Sequence, residues 1–289
     1  MPLYLREADV AELLTTADAL AAVEESFRRL ARGAVDNRPR ERLPLDGGMF
    51  AVMACVDREL GYAGLKSYAW LPNGTPFVIV LFSLERARLE AVIEAELLGR
   101  LRTAAASAVA VKHLARRESR TLGVFGTGRQ AAAHVTALRE VMPSLERVVV
   151  SGRSGVDAFC AAHGCEPGDA SVCDVVVTAT TSAEPVVDSV LPGATVIAVG
   201  ANHIDERELG AGILRAAAFV CADSRVQARL ESGDVAGTEP LHELQDVVAG
   251  SVRGRQSDAD IVVFKSSGLA AWDLAVAASL VATASSSPA

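Results

Sequence analysis

Apolar residues in the first ninety positions follow two different periods. From 16 to 32 they recur every three or four residues, and Gly33 follows, which predicts an amphipathic helix that ends at the glycine. From 38 to 89 the apolar residues form short runs separated by Gly, Pro and Asn. These runs are 49–55, 64–69 and 77–84. The pattern predicts an antiparallel or mixed sheet.

From Thr121 onward, short apolar runs alternate with helical ones. The helical pattern is clearest at 131–141. The strand-like runs are 121–125, 147–150, 175–179, 195–199 and 218–221. Strands that alternate with helices imply βαβ units, so the predicted class is α/β with a parallel, doubly wound sheet of the Rossmann type.

Two further helices are predicted beside this region. Residues 101–115 are rich in Ala and lead into Arg116 and Arg117, cations that suit the last turn of a helix, and we expect this helix to join two domains. A strand at 261–264 precedes an apolar helix at 268–282, which we expect to return to the first domain before a frayed tail, 285–289. The predicted domains are 1–117 plus 266–289, and 118–265.

The amino-acid composition and net charge indicate which kinds of binding partner are expected. Half of the 289 residues are apolar but only 4% are aromatic, as expected for helices on buried parallel strands. The net charge of −8 argues against a nucleic-acid partner, which needs a basic surface. No run of 18 apolar residues is present and the start is charged, so no membrane segment is predicted and a cytoplasmic location is expected.

The cysteines and histidines do not show the spacing of a metal site. The five cysteines form no CxxC pair and the five histidines no HxxxH pair, so we expect reduced thiols and no bound metal.

A glycine-rich turn follows the run 121–125 and precedes a helix. Its residues are Gly126, Thr127, Gly128, Arg129, Gln130 and Ala131. In a dinucleotide-binding turn, the first glycine permits the sharp bend, the second allows the pyrophosphate to approach, and a small third residue packs the helix closely. The alternative is an ordinary βα turn, but the strand and crossover around the motif favour a nicotinamide dinucleotide.

The end of the next strand bears on the choice of cofactor. An enzyme that prefers NADH usually has Asp or Glu there, whereas this chain has Ser151, Gly152, Arg153 and Ser154. Arg153 and Ser154 can bind a 2′-phosphate, so NADPH is predicted to be preferred over NADH. The alternative is that Arg153 is a solvated loop residue. Thr180 and Val199, at the carboxyl ends of later strands, are predicted to contact the cofactor.

Beyond the turn, the chain resembles the ornithine cyclodeaminase and mu-crystallin family over nearly its whole length. The Arg-Thr-Ala-Ala start of a helix, some twenty residues before the glycine turn, is the strongest match. The matching segments are 40–45, Lys66, 101–107, 126–131, 254–258 and 263–268. The resemblance implies a homodimer and a Rossmann domain inserted as one block into a second α+β domain for substrate binding and dimerisation. It also suggests Thr103 and Ser266 as weaker cofactor contacts.

Three cations stand out in a chain that is acidic overall. Arg40, Lys66 and Arg102 form a candidate set for an α-carboxylate substrate, with the arginines binding the carboxylate. By resemblance, Lys66 hydrogen-bonds the carboxylate or donates a proton to an imine nitrogen, a role that burial assists by lowering its pKa. Each cation taken alone would more often be a surface residue.

Two positions depart from the cyclodeaminase pattern. Ala51 stands where the cyclodeaminases carry a Glu just before a Met, here Met53 of the run 49–55, and Asn202 stands where they carry an Asp just after the strand 195–199. Neither residue can act as a base for the second amine of ornithine. Asn202 remains a candidate hydrogen-bonding contact with the substrate, and His203 beside it is a candidate proton donor or simply a loop histidine.

The predicted function is NAD(P)H-dependent reduction of a cyclic imino acid of the pyrroline-2-carboxylate or piperideine-2-carboxylate type, or interconversion of a small amino acid and its keto acid. The sequence leaves two alternative functions open. One is ornithine cyclodeaminase activity, which converts ornithine to proline with loss of ammonia. The other is a crystallin-like protein that binds NADPH without turnover.

Overall fold

The computed structural model describes residues 1–286 and divides into two compact units. The first unit comprises Met1–Arg102 and Gly268–Ala289, and the second comprises Thr103–Ser267. The boundaries predicted from the sequence, 1–117 plus 266–289 and 118–265, stay a prediction. Within residues 1–286, no helix combines the length and apolar character needed to cross a bilayer.

The first unit is built on a mixed sheet. Its strands are β1 (Leu3–Leu5), β2 (Val35–Asn37), β3 (Glu41–Leu45), β4 (Gly48–Asp57), β5 (Tyr62–Trp70), β6 (Phe77–Ser83) and β7 (Arg88–Glu94). The order is β1-β7-β6-β5-β4-β2, with β3 also paired to β4, and only the β1–β7 pair is parallel. The mixed sheet that the sequence predicts is confirmed, and its three apolar runs correspond to β4, β5 and β6.

Helices cover one face of this sheet. They are α1 (Glu7–Leu13), α2 (Thr16–Ala31) and the C-terminal α9 (Ala270–Ser286). Helix α9 is buried around most of its circumference and packs on α2 and on β4, β5 and β6. Helix α2 begins at a capping box in which the Thr15 hydroxyl accepts a hydrogen bond from the Asp18 amide. Helix α9 extends into the predicted frayed tail, 285–289, as far as Ser286, and 287–289 lie outside the described residues.

Helix α3 (Glu96–Leu114) carries the chain from the first unit into the second. It begins five residues before the start predicted from the sequence. The reason is a cap supplied from far along the chain: the Glu7 carboxylate accepts hydrogen bonds from the amides of Glu96 (2.5 Å) and Leu97 (3.1 Å). A local pattern cannot show such a cap.

The second unit is a parallel sheet with connecting helices. Its strands are β8 (Thr121–Phe125), β9 (Arg147–Ser151), β10 (Glu166–Pro167), β11 (Val175–Thr178), β12 (Thr195–Ala198), β13 (Ala217–Ala222), β14 (His242–Glu243) and β15 (Ile261–Lys265). Its remaining helices are α4 (Arg129–Val141), α5 (Val156–His163), α6 (Ala211–Ala216), α7 (Arg225–Glu231) and α8 (Leu244–Val248).

The strand order of this sheet is β10-β9-β8-β11-β12-β15-β13-β14, and every pair is parallel. The order reverses between β8 and β11, and a sheet of this type binds ligands at the carboxyl ends of the strands beside such a reversal. The doubly wound parallel sheet predicted from the alternation of strands and helices is therefore confirmed.

Candidate functional site

The glycine turn joins β8 to α4 in a conformation that requires glycine. Gly126 has φ of +118°, and a Cβ built on it would lie 2.5 Å from the carbonyl oxygen of Ala179. Gly128 caps the N-terminus of α4, and a Cβ built there would meet nothing within 4 Å. The backbone is thus open to a ligand at the second glycine, while Ala131 is buried where α4 packs on the sheet.

A cleft of about 490 Å³ opens at the carboxyl ends of β8, β9 and β11. Six of the predicted cofactor residues line it, namely Gly126, Thr127, Gly128, Arg153, Ser154 and Thr180. The cleft therefore contains a helix N-terminus and a second strand end, the two places at which sheets of this type bind a pyrophosphate and a ribose.

The other predicted cofactor residues do not line this cleft. Arg129 and Gln130 form the first turn of α4, and Val199 is buried just beyond β12. Thr103 is buried on α3, and the hydroxyl of buried Ser266 donates to Asp223 at 3.4 Å. Their assignment to the cofactor stays a prediction.

No carboxylate follows β9 at the cleft. Arg153 is exposed there, and the Thr127 hydroxyl donates to the carbonyl of Ser154 at 3.0 Å, which ties the glycine turn to the loop after β9. The exposed guanidinium gives this end of the cleft a positive charge, as a bound phosphate requires.

Glu208 holds together the strand ends at the cleft by hydrogen bonds, and it was not predicted from the sequence. It is fully buried, and its carboxylate accepts hydrogen bonds from the Thr178 hydroxyl (2.8 Å), from the amide and hydroxyl of Thr180 (both 2.7 Å) and from the Gly200 amide (2.6 Å). One side chain thereby fixes the ends of both β11 and β12. Glu208 lies in an irregular segment, so no periodic pattern marks it.

A buried ion pair holds the chain just beyond β12. The Lys265 ammonium donates to Asp234 at 3.1 Å and to the Ala201 carbonyl at 2.5 Å, and both charged side chains are inaccessible to solvent. Asp234 also accepts from the amides of Glu208 and Leu209. Asn202 follows Ala201 and donates to the carbonyls of Val199 (3.2 Å) and Gly200 (3.3 Å), whereas His203 is exposed.

In the first unit, the structure brings Lys66 and Arg102 together. Lys66 is at the centre of β5, Arg102 is on α3, and both side chains are buried. Both donate to the same oxygen, Oδ1 of Asp273, from Nζ at 3.2 Å and from Nε at 2.9 Å. Asp273, in the first turn of α9, is completely buried, and the sequence pattern does not mark it because it is one acid in an apolar helix.

Lys66 is electrostatically unusual. Its pKa is lowered to about 8, chiefly by burial and also by the charges of Arg102 and Arg40, while the carboxylate of Asp273 opposes these effects. Its ammonium lies 5.3 Å from the centroid of the Phe77 ring. Gly99 leaves room for the ammonium, since a Cβ there would lie 3.2 Å from Nζ. A lysine with a pKa near 8 can both donate and accept a proton near neutral pH.

The hydrogen-bonding capacity of the Arg102 guanidinium is only partly satisfied within the described residues. Its Nη1 is buried and has no hydrogen-bond partner within residues 1–286. Gly268, with φ of +86°, makes space for it, because a Cβ there would lie 2.7 Å from Nη1. A buried guanidinium nitrogen without a partner is costly unless a ligand or water satisfies it, so this side chain is suited to a carboxylate.

Apolar residues of the neighbouring strand β4 lie beside Lys66. Met53 on β4 is its register partner, and Ala51, two residues earlier on the same face of the strand, is fully buried. Ala51 occupies the position at which the cyclodeaminase pattern has a Glu. Asp273 is the carboxylate that contacts the Lys66 ammonium in the described chain, and it comes from a different element.

A doubly wound parallel sheet with a glycine turn at its switch point, joined to a mixed-sheet unit with a buried cationic cluster, defines an α/β protein of the Rossmann type. Within that class, the chain belongs to the ornithine cyclodeaminase/mu-crystallin family, whose model matches residues 2–287. The resemblance predicted from the sequence is confirmed.

Two relatives match along most of their length. An alanine dehydrogenase of Archaeoglobus fulgidus is 34% identical, with 95% of this chain and 92% of the relative covered. A Δ1-pyrroline-2-carboxylate/Δ1-piperideine-2-carboxylate reductase of Azospirillum brasilense is 32% identical, with 93% and 91% covered.

Two solved structures share the fold. An archaeal alanine dehydrogenase dimer with bound NAD has a TM-score of 0.92 and 33% identity, with 99% of this chain and 96% of that chain covered. The Δ1-pyrroline-2-carboxylate reductase of Thermococcus litoralis, in complex with NADH and L-proline, has a TM-score of 0.91 and 26% identity, with 98% and 97% covered.

Proposed function

We propose that this protein is an NAD(P)H-dependent oxidoreductase that reduces a cyclic imino acid of the pyrroline-2-carboxylate or piperideine-2-carboxylate type, or interconverts a small amino acid and its keto acid. The observation that carries the proposal is the buried cluster of Lys66 and Arg102 on Asp273, with an Arg102 nitrogen left for an anion. Relatives with both activities support it.

The cations of the first unit have two roles in this proposal, carboxylate binding and proton transfer. Arg102 and Arg40 bind the substrate carboxylate, and Arg102 is held by its Nε so that its Nη1 faces the ligand. Lys66 donates a proton to the imine nitrogen while carbon receives a hydride, and it takes the proton back in the oxidative direction. Asn202 is proposed as an additional substrate contact.

The glycine turn fits a dinucleotide. Gly126 permits the sharp turn beside the Ala179 carbonyl, and Gly128 leaves the backbone open for the pyrophosphate. Thr127, Arg129 and Gln130 lie at the N-terminus of α4. The remaining proposed contacts are Thr103, Arg153, Ser154, Thr180, Val199 and Ser266. When bound, the reduced nicotinamide supplies the hydride. We propose NADPH as the preferred form because Arg153, and no carboxylate, follows β9 at the cleft.

We propose that the protein works as a homodimer in the cytoplasm. One face of the first sheet carries apolar side chains that are half-buried or exposed. They are Phe50, Val52, Leu65, Val78, Val80, Phe82 and Val92. A second copy that covers this face would bury them, and the archaeal alanine dehydrogenase is described as a dimer.

The cyclodeaminase alternative is less well supported. Handling the second amine of ornithine needs a base beside the reacting carbon, and Ala51 and Asn202 supply none. The alternative of a binding protein without activity is tested by measuring whether the protein turns over any imino or keto acid.

The decisive experiment follows the nicotinamide absorbance of NADPH and of NADH. Pyrroline-2-carboxylate, piperideine-2-carboxylate, and pyruvate with ammonia are offered in turn, and ornithine with NAD is assayed for proline and ammonia. We expect an imino acid or the keto acid to consume the reduced cofactor. Tight binding of the cofactor without turnover of any substrate would contradict the proposal and favour a binding protein.

Substitutions of the three cations give a second test of the proposed function. Lys66→Met should lower turnover by about 100-fold or more, the usual contribution of general acid catalysis, with dinucleotide affinity little changed. Arg102→Met should raise KM for the carboxylate substrate. Arg40→Met should act in the same direction. Full activity in both Lys66→Met and Arg102→Met would remove the cluster from the active site.

A further inference from the structure

Asp273 is a carboxylate with no solvent access in a helix that is otherwise apolar. Its exposed fraction is 0%, and the residues around it in α9 are buried Trp, Leu, Ala and Val side chains. A buried charge of this kind is unfavourable unless it is paired and hydrogen-bonded. The ion pairs with Lys66 and Arg102 therefore compensate the burial of this carboxylate and indicate that its role concerns these two cations.

We propose that Asp273 is the positioning residue of the substrate site: it anchors Arg102 with one donor left for the substrate carboxylate, and it keeps Lys66 protonated for transfer to the substrate nitrogen. This inference rests on the proposed function of the two cations.

The geometry supports the anchoring role. A single oxygen, Oδ1, receives Lys66 Nζ at 3.2 Å and Arg102 Nε at 2.9 Å, so the two cations are held at a fixed separation despite their repulsion. Asp273 engages the inner nitrogen of the guanidinium, and Nη1 is left without a partner in the described chain. Asp273 Oδ2 is likewise buried without a partner there, as expected of a site that takes a further ligand or water.

The charges around Lys66 support the protonation role. Arg102 on α3 and Arg40 before β3 both repel its ammonium, and Asp273 on α9 is the acid that attracts it. The Cys55 thiol on β4 is neutral at physiological pH, because burial raises its pKa to about 12. Without the Asp273 charge, burial and two cations would act on Lys66 together, and its pKa would fall below 8.

The test uses the small number of lysines. The chain has only Lys66, Lys112 and Lys265, so ε-13C-lysine labelling gives three side-chain signals to titrate by NMR. Lys112 is exposed, and Lys265 is buried against Asp234, which provides one reference of each kind. Lys66→Arg identifies the Lys66 signal by its loss.

We expect the Lys66 midpoint in Asp273→Asn to fall by about one pH unit or more, while the signals of Lys112 and Lys265 keep their wild-type chemical shifts at neutral pH. The matched control is Asp57→Asn, which removes another fully buried aspartate of the same unit, paired with Arg29 at 2.7 Å. That variant should lose stability without moving the Lys66 midpoint. Equal Lys66 midpoints in the wild type, Asp273→Asn and Asp57→Asn would overturn the protonation role.

Kinetics test the anchoring role. In Asp273→Asn, KM for the imino acid should rise and the alkaline fall of kcat/KM should move to lower pH in parallel with the NMR midpoint. Asp273→Glu keeps the charge but displaces it, so it should restore the Lys66 midpoint and leave KM raised. KM values equal to the wild type in both variants would overturn the anchoring role.

Failure of the proposed function and failure of the positioning role give different results. A Lys66 midpoint that moves in Asp273→Asn, in a protein that turns over no imino or keto acid, would refute the proposed function and leave the electrostatic pairing intact.

Discussion

The α-carbon of Gly268 lies so close to Arg102 that a Cβ at position 268 would be 2.7 Å from the guanidinium Nη1. Gly268 is the first residue of the returning C-terminal segment, and its φ of +86° already favours glycine. The space that Arg102 needs thus depends on a residue far from it in sequence.

Gly268→Ala should therefore impair substrate binding as well as stability. Displacement of the guanidinium should raise KM for the carboxylate substrate by about tenfold or more, since misplaced binding groups carry penalties of this size. Gly33→Ala is the control, because Gly33 has φ of +72° in the same unit but open space around its Cβ position. Both variants should lose about 1 kcal/mol of stability from backbone strain; a KM change shared by both would contradict the steric explanation.

The pH dependence of catalysis should report Lys66. Imine reduction needs its ammonium form, which is present below its pKa of about 8 and is lost as pH rises through that value. We therefore expect kcat/KM for reduction to fall above about pH 8, and kcat/KM for oxidation of the corresponding amino acid to rise over the same range. An unchanged alkaline limb in Lys66→Arg, measured on its residual activity, would show that another group titrates.

Gly126→Ala should weaken the binding of both dinucleotides. The new Cβ would lie 2.5 Å from the Ala179 carbonyl oxygen in a backbone conformation that disfavours alanine. Strain of about 1 to 3 kcal/mol corresponds to an increase of about 5-fold to 160-fold in Kd if the bound state requires the native turn. Titration followed by cofactor fluorescence measures the Kd for each dinucleotide. Gly237→Ala, with φ of +76° and an open Cβ position, is the control.

Arg153→Ala should weaken NADPH more than NADH. Loss of a charge-assisted hydrogen bond is worth about 1.5 to 3 kcal/mol, or roughly tenfold or more in Kd for the phosphorylated cofactor alone. Arg147→Ala removes an exposed arginine from the opposite end of the same strand and should leave the ratio of the two Kd values unchanged. A ratio equally unchanged in Arg153→Ala would make this arginine a solvated loop residue.

The sequence predicts the parts of the fold that follow local patterns. The period of the apolar runs predicts the mixed sheet and the parallel sheet, and the glycine turn between β8 and α4 marks the cleft. Lys66 and Arg102 are selected by the resemblance to the family, not by periodicity, since a buried cation has no period of its own.

The contacts that complete the site are long-range, and this is why they escape prediction. Asp273 is 171 residues from Arg102 in sequence, and Glu7 caps α3 from 89 residues away. Glu208 lies in an irregular segment and reaches two strand ends through its carboxylate. In each case, tertiary packing determines which groups the acidic side chain contacts. In the sequence, each of these acids resembles an ordinary surface residue.

The position of β15 has a consequence for synthesis on the ribosome. This strand is one of the last elements of the chain, yet it lies between β12 and β13 in the interior of the sheet. A nascent chain that lacks it exposes two unpaired apolar strand edges, and chaperone binding should persist until residue 265 has left the exit tunnel. Premature termination shortly before this strand would then remove far more structure than the number of missing residues suggests.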